Sequence, residues 1–367
     1  MLTLFGSILT KKKTKRKEQT ALSKQNRNWG KPHWFIHDVA VDLGTANIIV
    51  YVRNRGIVVN EPAVIAVDTN TNKVIAIGKE AQAMIGRTPK HIQAYHPMRY
   101  GVIADYDATE YMLRYFLHKA LGKTFLFKPR VVICVPSGVT NVERRAVIEA
   151  AMQAGASKTV VMEEPLAAAI GAGLDIANSN GSMVVDMGGG TTDVAILSLS
   201  GVVISQSLRI GSNTFDEAII RYLERFKHIT VGNHTAEEVK ILIGTALPDG
   251  RQLTADVRGR STETGLPMMI DVDSQEVRKA LEEPIQTILR AIVSILEKTP
   301  PELAADIADH GIVLTGGGLL LDGFDRLISQ TTGMAAYLCD EPLLCVANGA
   351  GKALREMDRL KDSFDDL

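Results

Sequence analysis

The chain has 367 residues, more than one compact core usually organises, so two or more domains are expected. Its 46% hydrophobic and 23% charged residues are ordinary for a soluble globular protein. A net charge of −1 excludes a global pull toward nucleic acid or membrane, and no apolar run reaches the roughly 18–20 residues of a spanning helix.

The first seventeen residues stand apart. In "MLTLFGSILT" a helical wheel gathers Met1, Leu2, Leu4, Phe5, Ile8 and Leu9 within about 160°. The run "KKKTKRK" follows, with six basic residues in seven. A secretory signal has its charge before its apolar stretch, so the order here is wrong for one. It suits a helix lying in the headgroup layer with its lysines on anionic lipid, at about 1 kcal/mol per basic residue. A disordered basic tail and a nucleic-acid contact are the alternatives. Residues 18–37 read as a polar linker ending in an aromatic cluster.

From Asp38 strands and helices alternate. "DVAVDLGTANIIVYVRNRGIVVNEPAVIAVD" predicts a three-stranded meander. "DATEYMLRYFLHKALG" has helical spacing at Met112, Leu113, Phe116 and Leu117, with Asp107 as the expected N-cap. "RVVICVP" predicts a buried strand, and Thr140 to Gly155 bound a helix. "KTVVMEEPLAAAIGAG" predicts a strand running into an Ala-rich helix. The order then restarts. "GSMVVDMGGGTTDVAILSLSGVVISQSLRIG" is a second meander, with the helices "NTFDEAIIRYLERF" and "SQEVRKALEEPIQTILRAIVSILEKT" after it, then the strand "HGIVLTGGG" and another helix. Residues 245–273 predict an extra lobe. Two halves, each meander first and helices after, point to an internal duplication with a cleft between them.

Each meander opens on an Asp-x-Gly turn, "VDLGTAN" and "VDMGGGTT". Glycines there remove Cβ atoms that would hold a phosphate away, and successive backbone N–H groups form an anion nest. The Asp ending each strand can hold the water shell of a divalent cation. One such turn is more often just a hairpin; two in matching places read as a pincer on the β- and γ-phosphates of a nucleotide. No Walker motif is present, and "MGGGTT" opens a hairpin rather than a helix, which excludes P-loop and Rossmann readings. A third cluster, "LTGGGLLLDGF", links a strand to a helix whose N-terminus could approach an α-phosphate. Cys134, Cys339 and Cys345 lie in apolar surroundings without metal-ligand spacing and are expected to be buried, reduced thiols of a cytoplasmic protein. His33 and His37 are four apart but lack an acidic or Cys partner, so no metal site is expected of them.

These phrases resemble the phosphate-1, phosphate-2 and adenosine motifs of the actin, sugar-kinase and heat-shock-chaperone superfamily. Within it the text is similar to the MreB family of bacterial, rod-shape-determining actin homologues. "PMRYGVIADY", "EEPLAAAIGAGL", "STETGLP", "LEKTPPELAADI" and "EPLLCVANGAG" extend the resemblance from residue 38 to about 357. It implies a duplicated actin-like (ribonuclease H-like) α/β ATPase fold, two halves with a nucleotide cleft between them. Residues 38–178 and 348–367 would form the first domain, with a small insert at about 66–98. Residues 179–347 would form the second, with an insert at about 215–275.

The resemblance also assigns roles. ATP would lie between Gly44, Thr45, Ala46 and Asn47 on one side and Gly188, Gly189, Gly190, Thr191 and Thr192 on the other. Asp42 and Asp186 would flank Mg²⁺, mostly through water. Glu237 and Lys240 would reach ribose and base, and Gly316, Gly317, Gly318 and Leu319 the adenine and α-phosphate. Glu164 matches the catalytic glutamate that orients the attacking water, with Thr191 assisting; read without the resemblance, Glu163 and Glu164 could equally be helix-dipole partners. Phe125, Leu126 and Phe127 would dip into the bilayer beside Leu2, Phe5, Ile8 and Leu9, against the alternative of a buried hairpin.

Three features depart from the family pattern. Ser212 and Asn213 replace the usual Gly and Asp beside the nucleotide, Asn348 replaces Lys or Leu, and residues 1–37 exceed the usual N-terminus. The function implied is a weak ATPase that polymerises with itself at the inner face of the cytoplasmic membrane and organises cell-wall synthesis, without nucleic acid. A small-molecule kinase, a chaperone-type ATPase and a division-type actin relative are the competing readings. The first lacks its polar sugar-binding loops, the second a peptide-binding domain after residue 357, and the third usually anchors by its C-terminus.

Overall fold

The structure, a computed structural model, describes residues 38–122 and 128–356. The expected membrane residues Leu2, Phe5, Ile8, Leu9, Phe125, Leu126 and Phe127 lie outside the described residues.

The first repeat begins with an antiparallel meander, β1 (Asp38–Leu43), β2 (Asn47–Val52) and β3 (Gly56–Pro62). A small layer follows from β4 (Ile65–Asp68), β5 (Lys73–Ile77), α1 (Lys79–Gln82) and β6 (Ile92–Tyr95), then a short ribbon of β7 (Met98–Arg99) and β8 (Val102–Ile103). The repeat closes with α2 (Tyr106–Leu121), β9 (Arg130–Val135), α3 (Asn141–Gln153), β10 (Lys158–Glu163) and α4 (Glu164–Ala172). The second repeat runs β11 (Ser182–Met187), β12 (Thr192–Ser198), β13 (Gly201–Leu208), α5 (Ser212–Lys227), β14 (Ile229–Thr230), α6 (Asn233–Ile243), β15 (Thr254–Ser261) and β16 (Pro267–Asp273). It continues with α7 (Ser274–Glu297), α8 (Pro301–His310), β17 (Ile312–Thr315), α9 (Phe324–Thr332), β18 (Ala336–Leu338) and α10 (Cys345–Glu356).

The duplication is explicit in the sheets. One has strand order β10-β9-β1-β2-β3 and the other β13-β12-β11-β17-β18, so each central strand pairs antiparallel with its own meander and parallel with a later strand. Both meanders carry a register shift between their second and third strands, at Val50/Tyr51 and at Ile196/Leu197.

Side chains alternate across each sheet with the period of two that a strand imposes. Val39 and Val41 join Met112, Phe116 and Val147 in one core, whereas Ala40 between them faces a separate middle layer against α10. Met183 and Val185 likewise join Phe215 and Phe324 in a second core, and Val184 turns to the same middle layer as Ala40. That layer holds α4 and α10, pressed between the inner faces of the two sheets. The contact is too close for larger residues, which explains the Ala-rich α4. A Cβ added at Gly349 of α10 would overlap the Ala167 carbonyl oxygen.

Two local expectations needed adjustment. The meander text of the first repeat contains a fourth strand, β4, which leaves the sheet after Pro62 and pairs with β5 and β6. The N-cap of α2 is Asp105, not Asp107: Asp105 Oδ1 accepts from Ala108 N at 3.0 Å, and Asp107 lies inside the first turn. Helix α3 does begin at Thr140, in a capping box with Glu143. The third glycine cluster does link β17 to a helix, α9 at Phe324, by way of a 3₁₀ turn, Gly317–Leu320. The expected domain limits at 215 and 347/348 fall within α5 and α10. The lobe expected at 245–273 is the β15–β16 hairpin, edged by β14.

Candidate nucleotide site

The two Asp-x-Gly turns meet face to face. A Cβ at Gly189 would lie 2.6 Å from Ala46 Cβ, and one at Gly190 would overlap Thr45 Oγ1. Glycine at these two positions therefore lets the turns abut, which corrects the reading that all three glycines clear space for a phosphate. Gly188 alone of the three opens on free space, its nearest foreign atom being Thr191 O at 3.9 Å.

Backbone bonds hold this geometry. Gly188 N donates to Thr191 O at 3.0 Å and closes the turn. The Gly188 and Gly189 carbonyls accept from Ser212 N and Asn213 N at the start of α5, at 3.0 and 2.9 Å. On the opposite turn Thr45 Oγ1 accepts from Gly101 N at 3.0 Å. The second repeat is also tied to the first by Asp193, whose Oδ1 accepts from Ser137 N at 2.8 Å.

Between the turns, α4, α6 and the 3₁₀ turn lies a cavity of about 440 Å³. Of the residues assigned from sequence, Asp42, Gly44, Thr45, Ala46, Asn47, Glu164, Asp186, Gly188, Gly189, Gly190 and Thr191 line it. Glu237, Lys240, Gly316, Gly317 and Gly318 line it as well. Thr192 and Leu319 do not. Thr192 is fully buried and donates Oγ1–H to Ile210 O at 2.7 Å; Leu319, 1% exposed, packs in the second core. Each follows a lining residue by one position, so its side chain turns away.

Sequence reasoning missed the apolar wall formed by Ile241, Leu320, Leu321, Pro342, Leu343 and Val346. Ile241 is exposed although it sits on a regular helix, and an exposed apolar position on α6 was the available signal. Arg251 was missed too. It donates to Ile241 O and Leu242 O at the end of α6, at 3.0 and 3.2 Å, and faces Asp322 at 3.9 Å.

The floor is acidic. Burial pushes the Asp42 carboxyl up to about 7. Glu164 and Asp186 are pushed well above the usual carboxylate range, first by burial and then by repulsion from Asp193 and Asp42, with Asp186 adding to the rise of Glu164. Asp193, behind the cavity wall, rises to about 6 because burial outweighs its hydrogen bonds from Ser137 and Ser207. Both cations of the described lining are already engaged. Lys240 pairs with Asp216 Oδ1 at 2.7 Å and donates to Ser212 Oγ at 2.6 Å; Arg251 is held by Asp322. Ser212 thus serves as a partner for Lys240. Asp216 still rises to about 6, since burial outweighs the pull of Lys240.

This donor set suits a cation with a water shell. The carboxylates repel one another and lack a basic neighbour among the causes that shift them, so a divalent ion would offset the cost of burying them. Among the described residues, no group of three or more His, Cys, Asp or Glu side chains is placed to hold an ion directly. One further expectation is corrected: Cys339 is half-buried, not buried, while Cys134 and Cys345 are buried.

Comparison with known proteins accords with this architecture. Residues 36–362 match the family model described as MreB/Mbl protein. Cell shape-determining protein MreB of Escherichia coli K12 is 48% identical over 329 residues, covering 88% of this chain and 95% of that protein. Cell shape-determining protein Mbl of Bacillus cereus is 46% identical over 326 residues, covering 89% and 98%. Among solved structures, MreB5 of Spiroplasma citri bound to AMPPNP superposes with a TM-score of 0.85 at 34% identity, covering 89% of this chain and 98% of that one. The MamK double helical filament, at 21% identity and a TM-score of 0.73, shares the fold. The chain belongs to the MreB/Mbl family of actin-like proteins.

Proposed function

We propose that this chain is a nucleotide-driven, self-assembling cytoskeletal ATPase. In this reading it binds ATP with Mg²⁺ in the inter-repeat cavity and hydrolyses it slowly. It forms filaments at the inner face of the cytoplasmic membrane and there organises cell-wall synthesis. The observation that carries the proposal is the facing pair of turns above a buried carboxylate floor, one turn from each repeat. Structures of one homologue, MreB5 of Spiroplasma citri, bound to AMPPNP and to ADP support nucleotide binding. Relatives described as cell shape-determining support the cellular role, and the filament of MamK supports self-association.

The residues divide the work. Backbone N–H groups of the two turns, with Thr191, would hold the terminal phosphates. The apolar wall of Ile241, Leu320 and Leu343 suits a purine face, with Glu237 and Lys240 nearby. Asp42 and Asp186 would hold Mg²⁺ through coordinated water, and the ion would supply charge neutralisation on the phosphates. Glu164, at the first position of α4, would accept a hydrogen bond from the attacking water and orient it in line. Because the two repeats meet across the cavity, ligand-dependent closure would alter their relation and hence the contact between successive subunits.

Anionic lipid would engage residues 1–17 and Phe125, Leu126 and Phe127, and polymerisation through non-closing head-to-tail contacts would leave a filament. The test is co-sedimentation of the full chain, and of a chain lacking residues 1–17, with ATP or ADP and with or without anionic liposomes. Nucleotide-dependent pelleting, enhanced by liposomes only when residues 1–17 are present, is expected. Pelleting indifferent to both nucleotide and lipid overturns the reading.

A further inference from the structure

Beyond Lys240 the cavity has an end that the phosphate turns do not reach. Lys240 bonds Ser212 beside the Gly188 turn, and α6 then runs on for about one helical turn to Gly244. There the chain abuts the end of the 3₁₀ turn: a Cβ at Gly244 would lie 2.9 Å from Leu321 Cδ1. The loop that follows is locked onto Asp322. Thr245 Oγ1–H and Arg251 N–H both donate to Asp322 Oδ2 at 2.9 Å, and Ala246 N donates to Asp322 O at 2.8 Å. A Cβ at Gly250 would overlap Thr245 Oγ1, so glycine lets the loop close this tightly. Arg251 Nη1 is spent on Ile241 O and Leu242 O, and its Nε stands 3.9 Å from Asp322 Oδ1, beyond hydrogen-bond distance. Asp322 Oδ1 and Arg251 Nη2 therefore have no hydrogen-bond partner among the described residues. Both residues line the cavity, next to Ile241, Leu320 and Leu321 of its apolar wall.

We propose that Asp322 and Arg251 read the edge of the nucleotide base and select a 6-aminopurine over a 6-oxopurine. The inference rests on the nucleotide reading above and adds a base preference to it. Adenine presents a donor, its 6-amino group, beside an acceptor, N1. A carboxylate only accepts and a guanidinium only donates, so Asp322 Oδ1 and Arg251 Nη2 complement that edge. Guanine reverses both positions: O6 would face the carboxylate and N1–H the guanidinium. Asp322 stays charged at neutral pH. Burial raises its proton affinity, but the Arg251 N–H, the Thr245 hydroxyl and the charges of Arg251 and Arg326 together hold it below the ordinary value. The locked loop leaves little to reorganise when a base arrives. A site that hydrogen-bonds its ligand rejects the mismatched analogue more strongly than an apolar pocket does. The Arg251 side chain is 41% exposed, so water softens the mismatch and the expected discrimination is about tenfold rather than several decades.

The test measures the affinity of the full chain, with Mg²⁺, for four triphosphates that compete with a fluorescent ATP analogue. ATP and 2-aminoadenosine triphosphate carry a 6-amino group; GTP and inosine triphosphate carry a 6-oxo group. The first two should bind about tenfold or more tighter than the second two, whatever stands at position 2. R251M keeps the Arg251 N–H on Asp322, and D322N keeps an oxygen that can accept from Thr245. Each should narrow the ratio of ATP to inosine triphosphate affinity to within about threefold, with thermal melts recording that the variant is folded. Should D322N fail to fold, R251M decides, because it leaves the bonds of Asp322 to the loop in place. A preference that follows the 2-amino group overturns the proposal, as does a 6-amino preference unchanged in the folded variants. Equal binding of all four overturns it while the nucleotide reading stands. Binding of none overturns the nucleotide reading and this inference with it.

Discussion

Asp42 and Asp186 are equivalent residues: each is fifth of six in the central strand of its own sheet, and both line one cavity. The pairing register carries the equivalence further. Asp42 lies opposite Ile49 and Cys134, and Asp186 opposite Asp193 and Thr315, in the same antiparallel and parallel sense. Two copies of one supersecondary unit have thus placed two carboxylates at one crevice, where the charges of both help raise a third, Glu164.

Replacement of that third carboxylate separates chemistry from binding. E164Q keeps volume and shape but removes the group proposed to orient water. Phosphate release should fall about 10²- to 10³-fold, while affinity for a fluorescent ATP analogue changes less than about threefold. Equal loss of both would reassign Glu164 to ligand binding.

The three glycines of the second turn should behave differently. In G190A the new methyl meets Thr45, and in G189A it meets Ala46, so each should lose about 1–3 kcal/mol of stability by overpacking. G188A adds its methyl to open space and should fold with a melting temperature near that of the parent, yet bind nucleotide more weakly. Thermal melts alongside nucleotide titrations check the contrast; a strongly destabilised G188A contradicts it.

Stability should depend on pH through the acidic floor. Asp42 has an ordinary value of 3.8 and a folded value of about 7. Between these the folded chain keeps a proton that the unfolded chain has released, so stability falls as pH rises from about 4 to about 7. In a chelating buffer without nucleotide, the melting temperature should decline across that window. D42N should shallow the decline, and saturating Mg²⁺ with nucleotide should remove most of it, because a bound cation favours the charged carboxylate.

The α4–α10 contact offers a test remote from the cavity floor. G349A forces a methyl against the Ala167 carbonyl, where a rigid backbone atom stands in the way. A loss of about 1–3 kcal/mol in chemical denaturation is expected. Unchanged stability would mean that the two helices can part without cost.

Much of this was legible along the chain because it is local. Strand and helix periodicity, the Thr140 cap and the recurrence of Asp-x-Gly in two meanders all lie within short windows of sequence. The two Asp-x-Gly turns could be read because the motif text repeats once per half, whereas Glu164, Glu237 and Lys240 were assigned only through the family resemblance. Pairs of neighbours were harder. Thr191 and Thr192 are the same residue type, but Thr191 lines the cavity while Thr192 is buried and bonded to Ile210 O, and only the packed structure shows which is which.

What the residue order settled by itself was the set of elements, their doubled succession and the chemical character of the turns, since each depends on neighbours a few positions apart. Tertiary structure alone decided that Gly189 and Gly190 serve turn-to-turn contact and that Lys240 is occupied by Asp216 and Ser212. Both contacts join segments distant in sequence: the first forms only when the two repeats meet, the second when α5 and α6 pack together within the second repeat.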